Sequence, residues 1–351
     1  MADSHSSGPI YVGGMPVVND IPYYGGKTFF VDYKAGSDSG VMGGRASSPW
    51  KTLDCAYAHM VSGRGDVVCV NPESVGAAVG TTSGGFQVIP YAASDFGLVP
   101  TSGAGAVWHK DKCHIHGLTP YGGVNGRASI REDGTAALTA ATSATTMFTV
   151  SGYDCCLSNI TLYHGNAYAG AQIAMLVSGP RLTLHNVEVK GGAAASSTYG
   201  ANNAGTRSLK VAAGEFAMYG GKVGLDTTDR GAAMAEIEMA SSAARCRFHG
   251  VTVETHRSAV GGAGALFVKV GASGIDRYVM FKDCEFINSY QAGGLVLNQG
   301  FSIDSNPGGS VILRRSQVMG VTKLETSSNG FLWVDGVGGA ATGGLMIVNT
   351  G

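Results

Sequence analysis

Two pairs of closely spaced carboxylates come nearest to catalytic chemistry in this sequence. Asp226 and Asp229 share one short segment, and Glu236 and Glu238 are two residues apart, so a strand would place both on one face. Glycoside hydrolysis requires two carboxyl groups about 5 to 9.5 Å apart. A solvated turn and an exposed strand face explain the two pairs without catalysis, and we favour these structural interpretations.

Other signatures of catalysis are missing from the sequence. There is no phosphate-binding loop, nucleophile elbow or zinc motif. The seven cysteines include no Cys-x-x-Cys pair, and their odd number argues against a framework of disulfides. We therefore assign no catalytic, cofactor-binding or metal-binding residue, and we favour a protein that is not an enzyme.

An eight-residue pattern recurs along the chain and determines where these residues lie. Residues 155–162 read Cys-Cys-Leu-Ser-Asn-Ile-Thr-Leu, and the same order of apolar and polar positions returns at 182–189, 246–253 and 279–286. Weaker copies begin at Cys113, Phe216 and Val311. Each half alternates with a period of two, as strands do, and a central Asn, Gly or Asp permits a bend. Most intervals are about 27 to 34 residues, which is typical of a stacked solenoid.

A second series of short apolar segments shares this period. Its members are residues 174–177, 209–211, 236–239, 266–268, 295–297 and 331–334. Two series with one period, the first bent at its turn residue, predict a coil of about three short strands. The Gly-, Ala- and Ser-rich connections at 191–208, 224–235, 255–264, 289–294 and 319–330 would then leave along one edge. Binding loops and plain spacers explain these connections equally well.

The repeat alignment also predicts which exposed side chains share a column. The column just before the turn holds His116, Ser158, His185, Tyr219, His249, Lys282 and Arg314. The column after the turn holds Thr119, Thr161, Glu188, Lys222, Thr252, Glu285 and Gln317. Glu188 and Glu285 stand three repeats apart, roughly 14 Å at about 4.8 Å per repeat, too far for a glycosidase pair. His185 and His249 are two repeats apart, too distant to share a metal ion. Neither column supplies the carboxylate cluster and base of a calcium-dependent lyase.

The inward positions of the same alignment predict the core. The expected core residues include Leu157, Ile160, Leu184, Val187, Phe248, Val251, Phe281 and Phe286. Cys113, Cys155, Cys246 and Cys284 fall in equivalent apolar positions, and Cys69 lies in a strand pattern, so we interpret them as inert buried thiols. Asn159, Asn186 and Asp283 mark the turn, where Asn side chains can hydrogen-bond along the stack.

The N-terminal part predicts a cap for the solenoid. Segments 28–32 and 66–70 read as strands, and 49–61 reads as a helix with Ser48 as its N-cap and Pro49 at its first position. Its apolar residues are spaced by three and four, which gives one apolar face. A helix laid across the first coil would cover an open core and an unpaired edge.

These segments resemble the N-terminal cap of the pectate-lyase-like family of right-handed parallel β-helix proteins. The resemblance is carried by residues 30–32, 36–38, 48–53, 56 and 65–68, and by the coils beginning at Cys155 and Leu182. It covers residues 28 to about 335 and implies an all-β solenoid with a short N-terminal capping helix. It says little about activity, because this fold carries lyases, hydrolases, epimerases and non-enzymatic viral spikes.

We divide the chain into an N-terminal arm (1–26), an N-terminal cap with the first coils (27–112) and regular rungs (113–351). The arm is rich in Gly, Pro and Tyr, and we favour an arm that orders on a partner over a flexible tail. Residues 345–348 are too apolar for a free tail, so we expect them to close the last coil or join a subunit contact.

Composition excludes several kinds of partner. The net charge is −1, which indicates no basic face for nucleic acid, and no apolar run is long enough for membrane insertion. The first residues carry no secretory signal. We therefore favour a non-enzymatic structural protein of a phage particle, such as a capsid decoration, head fibre or spike, located in the virion after synthesis in the host cytoplasm.

Two alternatives stay open. One is a tailspike-type enzyme that binds or cleaves host surface polysaccharide, and the other is a cell-surface adhesin, which the missing signal disfavours. The resemblance to viral spikes implies a homotrimer. We expect the arm to contact the capsid or another virion protein, with surface polysaccharide as a further partner under the enzyme alternative.

Overall fold

The computed structural model describes 18 segments of the chain. They are residues 10–12, 15–17, 25–32, 35–39, 44–71, 88–90, 104–118, 128–132, 146–164, 173–192, 205–230, 234–241, 243–257, 264–289, 296–325, 331–335, 338–341 and 344–345.

Short strands and one short helix make up the described chain. The N-terminal elements are β1 (Ile10–Val12), β2 (Met15–Val17), β3 (Thr28–Val31), α1 (Leu53–His59), β4 (Val67–Val70), β5 (Val88–Pro90), β6 (Ala104–Trp108), β7 (His114–Gly117), β8 (Ala128–Glu132) and β9 (Thr146–Val150). The central elements are β10 (Cys156–Ser158), β11 (Ile160–His164), β12 (Ile173–Val177), β13 (Thr183–Lys190), β14 (Arg207–Val211), β15 (Ala217–Gly224), β16 (Ala235–Met239), β17 (Ala243–His249) and β18 (Thr252–Thr255). The C-terminal elements are β19 (Leu266–Val270), β20 (Ile275–Lys282), β21 (Glu285–Asn288), β22 (Phe301–Ile303), β23 (Gly309–Arg314), β24 (Gln317–Met319), β25 (Leu332–Asp335), β26 (Gly338–Ala341) and β27 (Gly344–Leu345).

Strands of successive coils pair in parallel and form three rows. The first row, before the turn, is β3, β4, β7, β10, β13, β15, β17, β20, β23 and β25. The second row, after the turn, is β5, β8, β11, the C-terminal halves of β13 and β15, then β18, β21, β24 and β26. The third row is β6, β9, β12, β14, β16, β19 and β22. The fold is thus a right-handed parallel β-helix with a short N-terminal helix, and the predicted fold class is confirmed.

The turn residue between the first two rows is left-handed in the copies that begin at residues 155 to 311, whereas Gly117 of the copy at Cys113 ends β7 without a positive φ. Asn159 and Asn186 both have φ of 51°, and Asp283 has φ of 53°, in the left-handed region. Asn186 Nδ2 donates to Asn159 Oδ1 at 2.9 Å, so the predicted bond along the stack is present. Gly220 and Gly250, at φ of 62° and 64°, occupy this position in the intervening coils.

The core lies inside the three rows. All eight predicted core residues are fully buried. Phe248 and Phe281 stack on successive coils with ring centroids 4.6 Å apart. Each buried aromatic ring contributes about 1.5–3 kcal/mol by leaving water.

The cysteines are part of this core. Burial raises the pKa of Cys69, Cys113 and Cys155 to about 12, and that of Cys246 and Cys284 to about 11. A thiol with so high a pKa is a poor nucleophile, because the thiolate is the reactive form. The interpretation as inert buried thiols agrees with this burial.

The capping helix is shorter than the predicted segment 49–61. It begins at Leu53 and ends at His59, and its N-cap is Thr52, whose Oγ1 accepts from Cys55 N at 3.2 Å. The predicted N-cap, Ser48, and Pro49 precede the helix. Trp50 forms a parallel bridge with Val31 of β3, which keeps the backbone extended up to that point. The expected start was wrong because tertiary strand pairing overrides local helix signals there.

Three further expectations about strands are corrected. The third-row strand predicted at 295–297 is instead β22, six residues later, since Leu297 forms an isolated bridge with Val321. The segment 331–334 pairs with β23 in the first row, not the third. Ser129, rather than Thr119, aligns with Thr161, while Thr119 lies outside the described residues. Short apolar segments carry no signal that distinguishes one row from another.

The chain ends are only partly described. β1 and β2 pair in antiparallel fashion as a separate two-stranded sheet within the predicted arm. At the other end, β26 continues the second row, and β27 folds back on it in antiparallel fashion. Residues 346–348 of the predicted closing segment lie outside the described part. No helix among the described residues has the length and apolarity needed to cross a membrane.

Candidate functional site

The two acidic pairs have different environments. Glu236 and Glu238 lie on one face of β16, as predicted, but Glu236 is fully buried, so the expectation of an exposed strand face is wrong for it. Asp226 is exposed on its turn, 3.8 Å from Lys222 Nζ, and Asp229 is half-buried. These side chains therefore do not form one open carboxylate site.

Glu236 belongs to a buried group that we call the edge clamp: Gly191, Gly192, Ser208, Arg230 and Glu236. Arg230 Nε donates to Glu236 Oε1 at 2.9 Å, while Ser208 Oγ donates to Glu236 Oε2 at 2.5 Å. The remaining guanidinium nitrogens of Arg230 donate to the carbonyls of Gly191 and Gly192 at 2.8 and 2.6 Å. The clamp ties the connection after β13 to the third row, and its charges are paired and hydrogen-bonded.

A glycine makes room for this arrangement. Gly224, at φ of 101°, ends β15 beside the clamp, and a Cβ there would stand 2.8 Å from the carboxyl carbon of Glu236. The buried carboxylate therefore depends on a residue without a side chain at this position.

Glu238 has its own cations. Arg207 Nε lies 2.6 Å and Lys210 Nζ 3.5 Å from its carboxylate oxygens. A glycosidase needs one carboxyl group that is protonated and another that is ionised. Here each carboxylate of β16 is bound to a separate cation, and Glu236 is buried away from any substrate.

The column after the turn has the predicted register from Thr161 to Gln317. Glu188 and Glu285 are three strand steps apart, which supports their exclusion as a glycosidase pair. Glu188 Oε2 lies 2.7 Å from Lys190 Nζ, and Glu285 accepts from Thr252 Oγ1 at 3.5 Å. This column is a set of local polar contacts.

The column before the turn also has the predicted register, but it is not exposed throughout. His116 and Ser158 are buried, and His116 Nδ1 lies 2.7 Å from Ser158 Oγ. The neighbouring His114 is buried as well, and burial lowers its pKa to about 4. A serine and a histidine so placed could suggest a nucleophile and its base, yet their burial makes this pair a contact between adjacent coils.

Farther along, the same column reaches the surface. The rings of His185 and Tyr219 stack with centroids 5.1 Å apart, and Tyr219 meets His249 edge-on at 6.4 Å. His249 Nε2 lies 3.0 Å from Asp283 Oδ2, which also accepts from Arg315 at 2.7 Å. The Arg315 hydrogen bond is the main cause that lowers the pKa of Asp283. His185 and His249 thus decorate the surface two steps apart, as expected.

Sequence reasoning missed a surface that we call the outer strip. It consists of an outward line of Arg247, Met280, Ile312 and Trp333 on β17, β20, β23 and β25, with Lys282 and Arg314 beside it. Trp333 is 62% exposed. The sequence contains the signal for this strip, because its residues stand two positions before the pre-turn column and therefore face outward with it. They were missed because we searched the outward positions for polar side chains, and this line is mainly apolar.

The residues that the structure describes contain no group of three or more His, Cys, Asp or Glu side chains that could hold a metal ion.

Comparison with known proteins gives similarity of fold alone. No protein-family model and no curated protein sequence matches the chain. A rhamnogalacturonan lyase structure is similar at a TM-score of 0.51 and 14% identity, covering 88% of this chain and 73% of the other. A pectate lyase matches at 0.51 and 12%, covering 85% and 65%. A pectin methylesterase mutant in complex with a hexasaccharide matches at 0.50 and 10%, covering 92% and 91%.

Proposed function

We propose that the protein is a non-enzymatic architectural component of a phage particle, acting as a homotrimer in a capsid decoration, head fibre or spike. The observation that carries this proposal is the pairing of the candidate acids. Glu188, Glu236 and Glu238 each contact a cation of their own. In the described part of the chain, these three carboxylates stabilise neighbouring coils, and they do not form a matched acid and base for cleaving a glycan.

Surface composition supports the self-association. Charged residues make up only 14% of the chain, so its faces can approach one another without burying many unpaired charges. The expected mass of the trimer is about three times the 35.8 kDa of the chain. Light scattering of the full chain measures it, and a stable monomer would contradict the trimer.

Polysaccharide binding is the second candidate. The similar structures include a rhamnogalacturonan lyase and a pectate lyase, and exposed aromatic rings such as Tyr219 are surfaces on which sugars stack. This candidate shares the fold and the aromatic surface but has no matched acid and base among the contacts above.

One experiment separates the two. The full chain is incubated with pectin, polygalacturonate and host surface polysaccharide, and released reducing ends and unsaturated products are measured. We expect none above a boiled control. Release that Glu238→Gln abolishes and Glu188→Gln preserves would overturn the non-enzymatic proposal.

The location in the particle has its own test. Purified phage particles are probed by mass spectrometry and by immunogold labelling against this chain. We expect the chain in the particle, at a stoichiometry divisible by three. Its absence from particles would overturn the architectural role.

A further inference from the structure

We propose that the edge between the second and third rows opens as one unit over four successive coils, and that Arg230 and Arg257 join these coils. Such an edge is a conformational device, because a partner that holds one coil at this edge would change the opening of the others as well. The device is independent of whether the chain is an architectural component or binds polysaccharide.

Arg230 lies in the connection after β15 and contacts both neighbouring coils. Its guanidinium donates to the carbonyls of Gly191 and Gly192, where the preceding coil leaves β13. Its backbone N–H donates to the carbonyl of His256, which follows β18 in the next coil, at 2.7 Å. The guanidinium is fully buried and pairs with Glu236 of its own coil. One residue therefore joins three coils at this edge.

Glu236 completes the group from the third row. Its carboxylate accepts from Arg230 of its own coil and from Ser208 Oγ on β14 of the preceding coil, at 2.9 and 2.5 Å. Ser208 Oγ accepts in turn from the backbone N–H of Gly191 at 3.0 Å. These contacts form a closed ring. The connection after β13 cannot move outward alone, because the buried ion pair would lose hydrogen-bond partners, and a buried charge without partners is costly.

The next coil reaches in the opposite direction along the axis. The Arg257 guanidinium is largely buried and donates to the carbonyl of Val296, where the connection after β21 returns. His256 Nδ1 donates to the carbonyl of Ser289, where the same connection leaves β21. The Ser289 N–H donates back to the carbonyl of Thr255 at 2.8 Å. Both described ends of this connection are therefore held by the preceding coil.

These contacts change how the edge can open. The repeats of a solenoid contact only their nearest neighbours, so coils can open separately where the contacts between them are weak. Here the buried arginines each span two coils, so separating those coils removes partners from a buried charge. Opening at Gly191 is coupled through Arg230 to His256, and through His256 to Ser289. Local opening of this edge is therefore a single cooperative step.

Hydrogen exchange of the unmodified full chain, in urea below the unfolding transition, tests this directly. The amides of Gly191, Arg230 and Ser289 donate at the edge, whereas the amide of Thr183 donates to Cys155 in the first row. We expect the three edge amides to share one opening free energy and one urea dependence, both smaller than those of Thr183. Different values among the edge amides would overturn the proposal, and so would values equal to those of Thr183, because the edge would then open only with the whole chain.

Substitution tests the coupling from each side. Arg230→Met should speed exchange at both Gly191 and Ser289 by at least about tenfold, the change expected when hydrogen bonds to a charged group are lost. Arg257→Met should speed exchange at Gly191 as well, although it lies two coils away. The matched control is Arg245→Met, whose partner Glu215 is exposed, and it should leave both amides unchanged. Faster exchange confined to the coil that carries the substitution would overturn the proposal. If Arg230→Met does not fold, Arg257→Met and the unmodified chain still decide the question.

Discussion

Replacing Glu236 by Gln should destabilise the β-helix far more than the same change at an exposed ion pair. Both side chains of the Arg230–Glu236 pair are fully buried. The substitution removes the charge that compensates the guanidinium while leaving it inside the protein. Breaking a buried pair in this way costs about 3–5 kcal/mol. The control is Glu188→Gln, whose partner Lys190 is partly exposed, with an expected cost of about 0–1 kcal/mol.

The local readout is hydrogen exchange at Gly191. Its N–H donates to Ser208 Oγ at 3.0 Å, and Ser208 in turn donates to Glu236. A loss of about 3 kcal/mol in the clamp corresponds to roughly 10²-fold faster exchange through local opening, at 1.4 kcal/mol per factor of ten. Urea denaturation of both variants measures the global effect. Equal shifts for Glu236→Gln and Glu188→Gln would refute the reasoning.

A double variant separates burial from pairing. Arg230→Met with Glu236→Leu removes both charges and fills similar volume, so it should cost less than Glu236→Gln alone. If the double variant costs as much as the sum of the two single changes, then the guanidinium contacts with the two glycine carbonyls, not the ion pair, stabilise this edge.

Three other predictions follow from single contacts. Gly220→Asn should change the melting temperature little, because Asn159 and Asn186 adopt the same left-handed position in other coils and no atom lies near a Cβ at Gly220. Gly221→Asn should lower the melting temperature, since its Cβ would overlap the Val187 carbonyl, and equal melting temperatures for the two variants would contradict this. The amides of His109 and Lys110 donate to the Tyr57 hydroxyl at 2.9 and 3.0 Å. Tyr57→Phe should therefore lower the free energy of unfolding by about 1–3 kcal/mol and speed hydrogen exchange at both amides, and unchanged exchange would contradict this role of the hydroxyl. Burial raises the pKa of Cys69, Cys113 and Cys155 from 9.0 to about 12, so the unfolded chain loses these protons at a lower pH than the folded chain. The free energy of unfolding should therefore be full below pH 9 and fall as the pH rises towards 12, and a flat urea midpoint from pH 8 to 11 would contradict this.

The repeat pattern predicted registers well because the period of a strand and the turn residue are both local. Asn159 and Asn186 occupy the same left-handed position, and Thr161, Glu188 and Lys222 align as expected. Side chains in a strand alternate between its two faces, and a residue cannot change face unless the whole strand shifts its register. The apolar residues that face the core therefore also determine which polar residues face outward.

Burial was less predictable, because it depends on what lies over a face. Glu236 and Glu238 point to the same face of β16, yet Arg230 and the connection after β13 cover only Glu236. His116 and Tyr219 share a column, but one is buried and the other is 39% exposed. The start of α1 was missed for a similar reason, since Trp50 is held by pairing with β3, a partner that local sequence does not reveal.

The two ends of the solenoid are covered differently. At the first coil, α1 packs its buried face on the core, and Lys110 Nζ donates to the carbonyls of Tyr57 and Met60 at the end of the helix. At the last coils, the outer strip leaves an apolar line beside cations. The two ends of the described solenoid therefore differ in chemistry, because α1 closes the core at the first coil, whereas the last coils keep Trp333 62% exposed at the surface.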